Sequence, residues 1–122
     1  MSKQKLEQIT DKNKYYRNVV ETTKQMQLVL MNLPVDSDIP LEIHKKTTQF
    51  IRVEFGEITV SIYKDSSDKK PEKKIIVKEG ESVIIPAGTY HYVKNTNNKN
   101  TKLYTIYSPP EHPENLKQMH KP

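Results

Sequence analysis

Glu42 and His44 stand two residues apart in a stretch of extended character, so their side chains leave the strand on the same face. A carboxylate and an imidazole presented together can hold a proton or a metal ion. Lys45, Lys46, Thr47 and Thr48 then turn the chain, and Gln49 opens the next extended run with an amide able to return to the same side. Far along the chain, His91 follows the turn made by Pro86, Ala87 and Gly88. Two imidazoles, one carboxylate and one amide oxygen form a donor set that suits a borderline divalent metal. Each residue alone also has an ordinary reading. His44 by itself is a core histidine with its hydrogen bonds met, and Glu42 a solvated strand residue. Gln49 alone says nothing, and His91 can bond the turn before it. The joint pattern carries the chemistry, provided the fold brings its two halves together.

The elements that must do so read as strands. Short runs rich in Val, Ile, Thr and Tyr cover Tyr15–Val20, Met26–Leu33, Leu41–His44, Thr48–Tyr63, Lys74–Val77, Ser82–Ile85, Thr89–Lys94 and Lys102–Tyr107. None holds a 3.6-residue period. Such a succession predicts an all-β barrel or sandwich. Pro34 to Pro40 reads as a turn cluster, and Gly56 interrupts the longest run where a bulge or tight bend belongs. Residues 1–13 are polar, fitting a short helix or a frayed tail. The proline-rich stretch Ser108–Pro113 cannot pair as a central strand and is expected to lie extended over the barrel, with 114–122 as a tail.

Composition narrows the function classes. The 122 residues form one domain, with 34% hydrophobic content and no cysteine, which removes disulfides, thiolate metal sites and cysteine nucleophiles. No apolar run approaches the ~20 residues a spanning helix needs, and the N-terminus lacks the apolar stretch of a secretory signal. No membrane role is expected, and a cytoplasmic location is the default. The net charge of +5 comes from dispersed lysines, with only Arg17 and Arg52 as arginines. A nucleic-acid surface would use more arginine, so no nucleic-acid partner is expected.

The spacing of Gly80, Pro86, Gly88, His91 and Asn95 resembles, position for position, the second motif of the cupin superfamily. Glu42, His44, Gln49 and Gly56 resemble the first. The resemblance covers residues 14–113 and is closest to small single-domain cupins of the mannose-6-phosphate isomerase-like group, on Glu42-Ile43-His44, Gln49 to Glu54 and Leu103 to Pro113. It implies a double-stranded β-helix, a jelly-roll-like barrel in which Glu42, His44, Gln49 and His91 meet around a divalent ion such as zinc, nickel, manganese or iron. Glu42 takes a usual histidine position and Gln49 the usual glutamate position, so the charge lost at one is restored at the other.

For the pocket wall, Ile51 and Val53 share the face of Gln49. Met31, Tyr104 and Tyr107 are further candidates, though core packing accounts for them as well, and His112 is placed to cover the barrel mouth. Phe50, Arg52 and Glu54 face the other way, with Arg52 and Glu54 spaced to pair. The resemblance implies an isomerase- or lyase-type enzyme moving a proton on a small polar molecule, a sugar or sugar acid, with no residue singled out as the base. A non-catalytic binding module and an Fe(II) dioxygenase are the alternatives. The missing third histidine and the glutamine at 49 count against the dioxygenase. The family also implies a homodimer in which Tyr15–Val20 pairs across subunits.

Overall fold

A computed structural model describes residues 1–122. One short helix, α1 (Leu6–Lys12), precedes ten strands: β1 (Arg17–Thr22), β2 (Gln27–Leu33), β3 (Asp38–Glu42), β4 (Thr48–Phe55), β5 (Glu57–Tyr63), β6 (Lys73–Lys78), β7 (Ser82–Ile85), β8 (Tyr90–Asn95), β9 (Thr101–Ser108) and β10 (Lys117–Gln118). No helix is long and apolar enough to cross a membrane. A six-stranded antiparallel sheet, ordered β10-β1-β2-β9-β4-β7, faces a four-stranded one, β3-β8-β5-β6. The fold is the expected double-stranded β-helix, with the short N-terminal helix present.

Between the sheets lies one apolar core that includes Val29, Met31, Ile51, Val53, Ile58, Val60, Val93 and Leu103. Alternation along the strands produces most of it, β2 being buried throughout Val29–Leu33. Along β9 the odd residues Thr101, Leu103, Thr105 and Tyr107 are buried and the even ones are not, as period-two side-chain placement requires. Register aligns the inward residues in rows across the sheet. One row carries Gln27, Tyr107, Gln49 and Ile85 as successive partners.

Gly56 separates β4 from β5. Its φ is +105°, and a Cβ there would meet Thr101 Oγ1 at 2.4 Å and Thr101 Cα at 2.9 Å. Only glycine meets both demands. Asn95 closes the same end of the barrel. Its amide donates to the carbonyls of Leu33, Pro34 and Lys99, and its oxygen accepts from Asn97 N and Thr101 Oγ1.

Two expectations need correction. Asp38–Glu42 is a strand although it contains Pro40, which read as part of a turn. β3 is an edge strand, where a residue without an N–H is tolerated. His44 accordingly lies just past the strand's end, not on it. The tail after Pro113 packs back on the six-stranded sheet. Lys117 and Gln118 pair with Asn18 and Arg17, while Tyr16 N and Val19 N donate to Met119 O and Leu116 O. Over Tyr16–Val19 the edge expected to meet a second subunit is therefore covered by the chain's own tail.

Candidate metal centre

Glu42 reaches the barrel interior through an irregularity. Ile39 pairs with Val93 and Glu42 with His91, so the register shifts between them. Three residues apart, they would face opposite sides of a regular strand. The extra residue in the bulge turns both inward. His44 follows within two residues and is fixed from behind, since Gly88 N donates to its carbonyl at 2.8 Å. The Pro86–Gly88 turn thus pins the first half of the site to the second, and His91 enters one residue into β8.

The side chains converge. His44 Nε2 lies 3.1 Å and His91 Nε2 3.3 Å from Glu42 Oε1. One donor atom from each residue falls within 4.8 Å of the others. His44 and His91 are 6% and 1% exposed, so both imidazoles are shielded from bulk water, while the Glu42 side chain stays 28% exposed. Burial alone would raise the Glu42 carboxyl, but the two imidazoles bonded to it outweigh burial and bring it down to about 2. Burial alone would lower His44. The Glu42 carboxylate, with Glu111 behind it, reverses this and holds the imidazole above its ordinary value.

His91 shows what the cluster is suited to hold. Its Nδ1 lies 2.9 Å from Thr89 O, which can only accept. A proton therefore sits on Nδ1, and Nε2, 3.3 Å from Glu42 Oε1, is left to share a cation, a proton or a metal, with that carboxylate. Fixing a ligand's tautomer through its other nitrogen is the usual support of a metal-binding histidine. On the far side of His44, Glu111 Oε1 lies 3.0 Å from Nδ1, off the line of a hydrogen bond. It acts there as a close charge. The donor set fits a divalent ion.

Gln49, the expected fourth ligand, is 1% exposed on the row between Tyr107 and Ile85. Its Nε2 lies 3.1 Å from Thr105 Oγ1 and 3.2 Å from the Tyr107 hydroxyl, leaving Oε1 buried without a partner. Tyr107 packs edge-on against His44, with ring centres 5.5 Å apart, and His112 packs edge-on against Tyr107 at 5.1 Å. Met31, Ile51 and Val53 face inward and are fully buried in the core. Tyr104 is placed otherwise. It stands on the outer face of the sheet, beside Phe50 and opposite Arg52, because β9 alternates and Tyr107 has the inward parity. Arg52 and Glu54 pair outside, as expected.

The segment over the site is held by Gln27. Its Nε2 donates to His112 O at 2.7 Å and to Thr22 Oγ1 at 3.0 Å, while its Oε1 accepts from the amides of Glu111 and His112. Sequence reasoning missed Gln27, Glu111 and Arg17. Arg17 had one usable signal: it shares parity with Val19 in a run read as a strand. A surface groove of about 810 Å³ lies outside the barrel between α1, β1 and the tail and touches none of these site residues.

Comparison with known proteins agrees with the geometry. The model of the Cupin domain matches residues 29–107. The uncharacterized protein L612 of Acanthamoeba polyphaga mimivirus is 44% identical over 105 residues, covering 85% of this chain and 62% of its own length. The uncharacterized protein YrkC of Bacillus subtilis is 38% identical over 104 residues, covering 85% and 55%. The chain thus spans little more than half the length of these curated relatives. A Bacillus halodurans protein of known crystal structure superposes with a TM-score of 0.92 at 36% identity, over 97% of this chain and 88% of that one.

Proposed function

From its membership of the cupin family, shown by the domain match over residues 29–107, we propose that this chain binds one divalent metal through Glu42, His44 and His91 and acts on a small polar molecule, a sugar or sugar acid. The observation that carries the reading is the convergence of three donor atoms within 4.8 Å, one of them a lone pair fixed by Thr89 O. Gln49 Oε1, buried and unpartnered, is the fourth donor of this reading. A cation held there would polarise an oxygen-bearing ligand as a Lewis acid.

The remaining work falls to the chain's own groups. The Tyr107 hydroxyl accepts from Gln49 Nε2 and bonds the Thr105 side chain, and burial raises its pKa so that it stays protonated beside His44. His112 is the proton carrier of this reading. Its Nε2 is buried without a partner, and burial, with the Arg17 charge, brings the ring down to about 4, so it is neutral and able to accept at neutral pH. Glu111 and His112 keep water from the cluster. The expected chemistry is proton transfer next to a metal-polarised group, of isomerase or lyase type, as in the isomerase-like group the motifs resemble.

Elemental analysis of untagged protein, beside a His44→Ala, His91→Ala double variant, tests the metal. An equimolar metal that disappears in the variant supports the reading. No uptake after incubation with zinc, nickel, manganese or iron removes it. A second reading, a module that captures a ligand without turnover, draws on the burial of both histidines and the segment clamped over them. Under that reading His112→Gln changes ligand affinity, and no substrate is consumed by either protein.

A further inference from the structure

Arg17 is a charge without a partner. Its residue is 8% exposed, and it shares parity with Val19, a core residue, so it faces between the sheets. Five ion pairs occur in the structure: Glu42 with His44, Glu42 with His91, His44 with Glu111, Arg52 with Glu54, and Lys121 with Asp38. None includes Arg17. The guanidinium donates through Nη1 to Gln118 Oε1, a neutral amide, at 2.6 Å and lies 5.3 Å from the Tyr16 ring centre. Its Nε is buried with no acceptor. Burying a guanidinium without a counter-ion is costly. An arginine kept in that state has a vacant fork suited to two oxygens of one anion.

We propose that Arg17 anchors an anionic group of the bound molecule inside the barrel, so that the ligand carries a carboxylate or a phosphate. The Arg17 charge is felt where such a ligand would lie. After burial it is the main cause lowering His112, and at Tyr107 it opposes the rise that burial produces. His112 packs on Tyr107 and Tyr107 on His44, so the residues that feel the Arg17 charge lead by contact to the metal centre. Tyr16 stacks the guanidinium and Gln118, from the tail strand, holds one of its nitrogens, which orients the remaining N–H groups. This inference names the ligand class for the site of the proposed function and rests on that reading only for the site's location.

The chain has only two arginines, which makes a direct test available. In ¹⁵N-labelled protein freed of metal by a chelator, the Nε–H signals of Arg17 and Arg52 are followed while inorganic phosphate and malonate are added separately at constant ionic strength. Arg52, whose Nε lies 3.3 Å from Glu54, serves as the control. A saturable shift of the Arg17 signal alone is expected, and in Arg17→Lys the same titration, followed on the backbone amides of the neighbouring Tyr16 and Asn18, should show about tenfold weaker binding, the fork being lost while the charge is kept. Response to phosphate alone or to malonate alone assigns the ligand to that class. An Arg17 signal indifferent to both, or drifting linearly together with Arg52, overturns the anchor. Metal is absent throughout, so a protein that takes up no metal can still pass, and one that binds metal can still fail.

Discussion

Glu42 holds the centre together at the scale of single residues. It is the one group bonded to both histidines, and its carboxyl is brought down to about 2 by them. Glu42→Gln keeps the shape and an oxygen donor but removes the charge that balances a divalent ion. Metal affinity should fall by at least the ~10–100-fold that loss of even an outer partner costs. Competition against a coloured chelator measures it, and unchanged affinity would mean the carboxylate is no ligand. His91 depends on the Thr89 carbonyl, a contact no side-chain substitution removes. This is one reason the site was readable: its support at that point is backbone, set by the Pro86–Gly88 turn. Arg17 was harder to read, because a buried arginine looks by type like a surface residue.

Among the elements, the segment Pro109–Pro113 and the strand β10 decide how closed the site is. Gln27 secures the first through bonds to Glu111 and His112. In Gln27→Leu, hydrogen exchange at the Glu111 and His112 amides should rise while the β4 and β9 amides stay protected. Equal loosening of all of them would show that Gln27 supports the barrel rather than its cover. At the opposite end, Gly56→Ala should cost about 2 kcal/mol or more in urea unfolding, since it meets both a positive φ and the Thr101 backbone. Strand runs of four or more alternating residues were legible because side-chain period and burial coincide. β3 was mistaken in its bounds because Pro40 is forbidden only where a ladder needs its N–H. β10, two residues long, has no period to read. It is held by long-range contacts, Arg17 with Gln118 and Tyr16 N with Met119 O, which no local pattern reveals.

For the molecule as a whole, acid is the informative stress. His112 is brought down to about 4 in the fold from an ordinary 6.5. Between those values the unfolded chain binds the extra proton, so stability is lost as pH falls from 6.5 to 4. Glu42, lowered to about 2 from 4.5, adds its loss only below pH 4.5. His44, held above 6.5, loses its contribution only as pH rises through its native value. The window from 6.5 to 4.5 therefore belongs to His112 among the shifted groups of the centre. Urea midpoints of metal-free protein should fall across it, and His112→Gln, which has nothing to titrate, should flatten the slope. An unaltered slope in that variant would show that His112 is not held neutral by the fold. The double-stranded β-helix itself was legible from glycine, proline and histidine spacing, since each glycine of that pattern has a positive φ at a bend the barrel requires.

The covering of β1 by the tail has a consequence for inheritance. Residues 29–107 carry the matched cupin domain and all four metal donors of the proposed site. Arg17, Gln27, Glu111, His112 and Gln118 all fall outside that stretch, yet fold back against it from both sides. The proposed metal donors and the proposed anion anchor thus lie in separate parts of one gene, with the proposed proton carrier His112 in a flank. Relatives that share the central stretch and differ in their flanks are then expected to hold the same ion and take up different molecules.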